Sequence, residues 1–275
     1  MSAFLTEYSE RPVSRRSRRS FATSRPSISP TRRSPSNGLD VEPKVVARVL
    51  HALGGASPRG GERVSRSGSI VRMSREETIT RYNDLAARIL ERPSERSRLV
   101  AVDGPGGTGK SFFAQRLAGA LGNAPIVHTD DFATGESGVE WWPRLDREVL
   151  QPLVNGHTGR YQRYDWDRRA LMEWHDVPAA PVVIIDGVSS ARREIAPHLA
   201  LAVWVQAPRA VRLARGLERD GEEARGDWER WMAEEDSHFR SDDTIARCQV
   251  FVNGAPTRPH VFWREFVQFD SCDYE

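Results

Sequence analysis

The chain of 275 residues has few lysines, few cysteines and no long apolar run. Its 40 basic residues include only two lysines, Lys44 and Lys110, so nearly all positive charge is arginine. The two cysteines, Cys248 and Cys272, form no C-x-x-C and stand near no histidine pair. That spacing suggests neither a disulfide framework nor a zinc site, and a reducing interior is expected. No stretch approaches the roughly eighteen apolar residues of a membrane-crossing helix. No apolar leader core follows Met1. The expectation is a cytoplasmic protein with no membrane partner. The N-K-x-D motif that reads guanine is absent, and the seven histidines show no metal spacing.

Charge is unevenly spread. Residues 1–72 hold 14 Lys and Arg against 5 Asp and Glu, a net of +9, whereas residues 73–275 hold 26 against 33, a net of −7. Residues 9–37 are dominated by Ser, Arg and Pro, too poor in apolar side chains to offset their ordering entropy. The expected division is therefore a disordered basic arm over 1–72 and a folded domain over 73–275. Val45–Leu53 has the pattern of one short amphipathic helix within the arm. Three roles compete for the arm: nucleic-acid or anionic-surface binding through charge, an organelle transit peptide, or an appendage without function, with Met73 as the true start.

What is present is concentrated at 103–111, D-G-P-G-G-T-G-K-S. Gly104, Gly109, Lys110 and Ser111 fill G-x-x-x-x-G-K-[ST], the phosphate-binding loop, without substitution. Glycines let successive backbone N–H groups converge on phosphate oxygens, and the helix that follows turns its positive end to the same place. The nucleotide-contacting set is Gly104, Gly106, Gly107, Thr108, Gly109, Lys110 and Ser111. Lys110 reaches the β- and γ-phosphates and Ser111 Oγ ligates Mg²⁺. The apolar run 98–103 before the loop has strand character, and Phe112, Phe113, Leu117, Ala120 and Leu121 after it recur at helical spacing. From residue 45 onward Lys110 is the only lysine, so a compact ammonium stands where a guanidinium would serve poorly.

Ser74–Glu77 has the form of a capping box opening a helix with the apolar stripe Ile79, Tyr82, Leu85, Ala86 and Ile89, ended by Pro93. Strands are expected at 98–103, 125–129, 182–186, 200–206 and 248–252, with helices between them. That alternation gives an α/β fold, a parallel sheet covered by helices on both faces.

Ligands in such sheets bind beyond the carboxyl ends of the strands. The strand at 125–129 ends in Asp130 and Asp131, and one carboxylate there can orient an acceptor hydroxyl towards a γ-phosphate. Asp130, nearer the strand, is preferred for the catalytic role. The strand at 182–186 ends in Asp186, suited to an outer-sphere partner of Mg²⁺ or to a turn before Gly187. Y-Q-R-Y-D-W (161–166) offers Arg163, Tyr164 and Asp165 to a ring and a sugar, or is an ordinary amphipathic hairpin. The pair Trp141–Trp142 reads as core. Arg212, Arg215 and Arg219 share one helix face ahead of a charge-dense, glycine-containing segment that ends at Arg225. This reads as an arginine-rich lid, with Arg215 and Arg219 in catalytic roles as internal arginine fingers. The stripe Trp228, Trp231, Met232 and Phe239 reads as core.

These residues resemble the uridine kinase branch of the P-loop kinases, with nicotinamide riboside kinase, pantothenate kinase and phosphoribulokinase as relatives, from about Arg98 to Asn253. T-D-D-F (129–132) resembles the segment whose first Asp is the acceptor base, here Asp130, with Asp131 beside it on the substrate. Y-D-W (164–166) is similar to the acceptor-binding segment of the nucleoside kinases. I-I-D-G (184–187) resembles a strand that usually ends in Glu-Gly, Asp186 standing in for the Glu. Residues 212–220 resemble the lid entry, and by the same analogy 250–254 lie near the adenine. The resemblance implies the P-loop NTPase fold with a five-stranded parallel sheet, order 2-3-1-4-5, and the use of ATP and Mg²⁺. It also implies phosphotransfer to an alcohol group of a small molecule such as a nucleoside, uridine above all. The alternative kept beside it is a nucleotide-dependent regulatory NTPase or switch with no small-molecule acceptor.

Overall fold

The computed structural model describes residues 71–73, 76–133, 141–166, 168–270 and 272–274. The expected arm over 1–72, its helix at 45–53 and the first two residues of the capping box lie outside them, save for the backbone of residues 71 and 72. In chain order the elements begin with β1 (Val71–Met73), β2 (Glu77–Arg81), α1 (Tyr82–Leu90), β3 (Arg98–Asp103), α2 (Lys110–Ala120) and β4 (Ile126–His128). A helical run follows, α3, through Trp142–Leu145, Asp146–Leu150 and Gln151–Val154. Then come β5 (Gly159–Asp165), β6 (Ala170–Val177), β7 (Val182–Asp186), β8 (Leu199–Gln206), α4 (Arg209–Asp220) and α5 (Arg225–Asp242). The last strands are β9 (Val250–Asn253), β10 (Glu265–Phe269) and β11 (Cys272–Tyr274).

The main sheet has seven strands in the order β2-β10-β9-β8-β3-β7-β4. Its parallel part, β4-β7-β3-β8-β9, is the expected five-stranded sheet. Numbered by their own order in the chain, these five run 2-3-1-4-5, as the resemblance implies. Two strands that the sequence pattern did not yield lengthen the β9 edge, β10 antiparallel to β9 and β2 antiparallel to β10. A separate ladder pairs β1 with β11.

The capping-box expectation is overturned. Residues 77–81 pair as a strand with β10, and the helix begins only at Tyr82. Thr78, Ile79 and Thr80 are β-branched and stiff at χ1, which suits a pleated edge better than a helical first turn. The true stripe of α1 is Tyr82, Leu85, Ala86 and Ile89, without Ile79.

Strands β3 and β7 are buried on both faces, which is why they read as continuous apolar runs. On one face Val100, Val102, Ile184 and Val203 pack with Leu85 and Ile89 of α1 and Phe113 and Leu117 of α2. On the other, Leu99, Val183 and Ile185 meet Leu145, Val149 and Leu150 of α3, while Ala101 and Trp204 meet Phe239 of α5. Trp141 and Trp142 belong to this second face, as core. Trp231 departs from its expected core stripe and is exposed.

The segment expected as a lid, ending at Arg225, is α4 and the short turn that leads into α5. Arg209 pairs with Asp236 at 2.8 Å, and Trp228 Nε1–H donates to Asp220 Oδ2 at 2.9 Å. Gly216 lies flat against the Trp228 indole, where an added Cβ would stand 2.3 Å from the ring. A helical Gly→Ala change ordinarily stabilises by about 0.5–1 kcal/mol. Here overpacking, at about 1–3 kcal/mol, is the larger effect. Gly216→Ala is therefore expected to lower stability, read as a lower urea midpoint with an unchanged slope.

Candidate functional site at the carboxyl edge of the sheet

The loop 104–109 joins β3 to α2. Gly104 has φ +135°, and a Cβ there would meet the Val205 carbonyl oxygen of β8 at 2.2 Å. Gly107 has φ +76° and sits against the α4 backbone at Arg212, 2.6 Å from a Cβ. Only glycine accepts both the dihedrals and the approach. Lys110 Nζ donates to the Pro105 carbonyl at 2.8 Å and Thr108 Oγ1 donates to the same oxygen at 2.9 Å. Ser111 lies exposed on the first turn of α2. The first N–H groups of that helix have no partner within it and face the loop's interior, the arrangement that receives an anion.

The buried Asp103 carboxylate holds the loop in place. Its Oδ1 accepts N–H from Gly104 at 2.6 Å and Ser189 at 2.9 Å, and its Oδ2 accepts from Ala191 at 2.7 Å. Burial pushes this carboxyl up to about 7, against the pull of the three amides and of Lys110.

The acids sit on the neighbouring strands. Parallel pairing sets His128, the last residue of β4, against Asp186, the last of β7. His128 Nδ1 and Asp186 Oδ2 are 3.0 Å apart. That hydrogen bond, with the Asp186 charge, keeps the imidazole above its ordinary pKa, although burial opposes it. The other oxygen, Asp186 Oδ1, is buried and has no hydrogen-bond partner. A tight turn, Thr129–Asp131, follows β4. Asp130 presents surface to solvent yet is ringed by protein, and loss of bulk water raises its carboxyl. The Lys110 charge lowers it again and the Asp186 charge raises it, so loop lysine and acidic turn share one electrostatic neighbourhood. Asp131 Oδ2 accepts the Tyr161 hydroxyl at 2.7 Å, and Trp166 Nε1–H donates to the Asp130 carbonyl at 3.2 Å. The β5–β6 hairpin thus rests on the acidic turn. Arg144 caps this contact by donating to the Gln162 carbonyl and lying over the Phe132 ring.

Of the lid arginines, Arg215 donates to the carbonyls of Gly107 at 3.1 Å and Gly254 at 3.0 Å, and burial lowers its pKa. It links the loop to the end of β9. Arg219 pairs with Asp220 at 2.6 Å and also feels the charge of Asp130. Arg212 faces Glu235 of α5 at 3.5 Å, and both Glu235 oxygens accept the Gly106 N–H, at 3.0 and 3.1 Å. Arg225, expected at the end of the lid segment, pairs with Glu222.

The residues expected at the site divide into two groups. The loop from Gly104 to Ser111, Asp130, Asp131, Asp186, Arg215 and Arg219 stand at or over the carboxyl edge. Arg163 and Asp165 instead answer each other on the hairpin: Arg163 binds Asp165 at 3.1 Å and Glu173 at 2.6 Å, and Asp165 accepts the Arg168 N–H at 2.8 Å. Tyr164 stands edge-on to Trp166, with ring centroids 5.5 Å apart. Sequence reasoning passed over His128, Arg144 and Glu235, and read Tyr161 as an aromatic of the 161–166 segment without its bond to Asp131. His128 carried a usable signal, its place at a strand end beside two acids. Glu235 carried none among the many charges of α5. Among the described residues no three His, Cys, Asp or Glu side chains form a metal cage. Ser111 Oγ and the orphaned Asp186 Oδ1 are hard oxygen donors of the kind Mg²⁺ takes alongside phosphate and water.

No family model matches the chain. Two inorganic pyrophosphatases of Arabidopsis thaliana, TTM2 and TTM1, are 26% and 24% identical to it over 152 residues, half of this chain. The chain spans about a quarter of the length of these curated relatives, 23% and 24%. Among solved structures, a possible uridine kinase from Bacillus stearothermophilus is 18% identical with a TM-score of 0.47 over 62% of this chain and 96% of the other. A gluconokinase from Sinorhizobium meliloti is 20% identical with a TM-score of 0.31 over 61% and 86%.

The Tyr161 hydroxyl to Asp131 is a part-buried bond to a charged acceptor. Tyr161→Phe is expected to cost about 1–2 kcal/mol in urea unfolding. Calorimetry should find nucleotide binding unchanged, because the loop is not involved.

Proposed function

We propose that the chain is an ATP-dependent kinase that transfers the γ-phosphoryl group to a hydroxyl of a small molecule, with a nucleoside such as uridine as the leading acceptor. One observation carries this: parallel pairing of β3, β7 and β4 sets the phosphate loop, Asp186 and the acidic turn that bears Asp130 at one carboxyl edge of the sheet.

In this reading the backbone N–H groups from Gly106 to Ser111 bind the β- and γ-phosphates and Lys110 spans them. Ser111 Oγ and Asp186 Oδ1 would hold Mg²⁺, whose charge would offset that on the phosphoryl oxygens. Asp130 accepts a hydrogen bond from the acceptor hydroxyl and aligns its oxygen with the γ-phosphorus. As the new O–P bond forms, the bond to the β,γ-bridging oxygen breaks, ADP leaves, and the hydroxyl proton passes to Asp130. Little proton abstraction is needed early, because the transition state is loose. Arg219 neutralises charge from the lid side, while Arg215 braces the loop through the Gly107 and Gly254 carbonyls. Asp131, held by Tyr161, and the Tyr164–Trp166 aromatic pair supply an acceptor platform, with Arg163 and Asp165 stiffening the hairpin that carries it.

The named activity of the Arabidopsis relatives, hydrolysis of pyrophosphate, is the second reading, favoured by a match over half of the chain. Coupled ADP release against nucleosides, pantothenate and sugar phosphates, with a parallel assay of phosphate from pyrophosphate, separates the two. A kinase shows turnover raised well above water hydrolysis by one acceptor. Failure of every acceptor, with steady release from pyrophosphate, sinks the proposal; slow hydrolysis that only a partner protein speeds favours the switch.

Asp130→Asn is expected to lower acceptor-dependent turnover by about 10²-fold or more with nucleotide affinity nearly unchanged. Lys110→Ala is expected to weaken both. Residues 1–72 enter none of these steps, so removal of residues 1–70 is expected to leave transfer intact and to abolish any salt-sensitive nucleic-acid binding.

A further inference from the structure

Glu235 has no part in the transfer chemistry above, yet it lies on the phosphate loop itself. It projects from the face of α5 that carries Trp228, Met232 and Phe239, all three buried. Both of its oxygens take the Gly106 N–H. A Cβ at Gly106 would meet Glu235 Oε1 at 3.0 Å and the Trp228 ring at 3.2 Å, so α5 seats directly on the loop. Arg212 stands 3.5 Å from the carboxylate and the charge of Lys110 acts on it. Burial pushes the carboxyl up, and Lys110, the loop amide and Arg212 pull it down.

A loop built to hold an anion therefore already holds one. We propose that Glu235 is a resident occupant of the phosphate site, competing with phosphoryl oxygens for the Gly106 N–H and for Lys110, so that polyphosphate binding and release of α5 from the loop are one event. The inference rests on reading the loop as a polyphosphate site. Two negative groups in one cradle repel. The flexible one leaves, and with it goes the contact that ties Arg212 to Glu235. The same carboxylate keeps the Arg212 guanidinium, 3.5 Å away, compensated while no ligand is bound. Glu235 thereby sets how tightly nucleotide binds and couples its arrival to the lid helices.

The test is titration calorimetry of the full chain and of Glu235→Gln with Mg-ADP and with inorganic pyrophosphate, beside hydrogen exchange over residues 228–242. Gln keeps the size and one acceptor and removes the charge. The expected result is binding about tenfold tighter in Glu235→Gln for both ligands. Amide protection in α5 should fall when the native chain binds Mg-ADP, and should already be low in the free variant. Equal or weaker binding in the variant overturns the inference while leaving the loop's assignment standing; absence of binding in both proteins overturns both. Should Glu235→Gln fail to fold, Glu235→Asp, which withdraws the carboxylate by one methylene, and the exchange measurement on the native chain decide. Unchanged α5 protection on ligand binding then counts against the inference.

Discussion

The Asp103 carboxylate is the tie on which the rest depends. It closes β3, and through backbone amides it binds both the first glycine of the phosphate loop and the turn after β7. One buried side chain thus fixes both the start of the phosphate loop and the turn that follows Asp186. Three N–H donors offset part of the cost of burying it, and burial still holds the carboxyl above its ordinary range. The neighbouring elements repeat this logic at lower burial. His128 meets Asp186, Tyr161 meets Asp131, and Arg215 satisfies the carbonyls of Gly107 and Gly254. The site is a row of strand and loop ends, each holding the next through one polar contact.

This layout explains what the sequence disclosed. The five parallel strands were legible because β3 and β7 are buried on both faces and so leave unbroken apolar runs between helical patterns. The loop was legible because its dihedrals and close approaches admit glycine alone, and the acids because they follow apolar strands directly. The two added edge strands were not. β10 does not alternate, its adjacent Phe266 and Val267 both being buried, and β2 alternates only weakly, with Thr78 exposed and Ile79 half-buried. The Ser-Arg-Glu-Glu cluster before β2 mimics a helix start, and pairing with β10 overrides it. Local propensity lost to a partner nearly two hundred residues away in sequence.

The polar partners were illegible for a different reason. Tyr161, Arg144 and Glu235 act through contacts between elements far apart in the chain, and no spacing rule encodes such contacts. Arg163 shows the converse. Its company of aromatic and acidic residues resembled a ligand site, yet Glu173 of the facing strand takes the guanidinium first. An arginine beside two carboxylates is satisfied by them before any substrate arrives, so a charged cluster within a hairpin is as much a clasp as a binding surface.

The same competition governs the lid. Arg212, Arg215 and Arg219 form one face of α4, but their partners differ in kind. Arg215 is spent on backbone carbonyls and so shapes the loop. Arg219 answers Asp220 in the open, where such a pair contributes little and yields readily to a stronger anion. Arg212, buried, answers Glu235, which in turn answers the loop. A guanidinium held by an exposed carboxylate is the one most easily recruited to a phosphoryl group, and one that braces backbone the least. Graded partnering along a single helix face thus separates structural from available charge without any difference in residue type. Lys110 needs no such sorting: its Nζ sits on the Pro105 carbonyl inside the loop, and its compact ammonium keeps two further donors for the ligand.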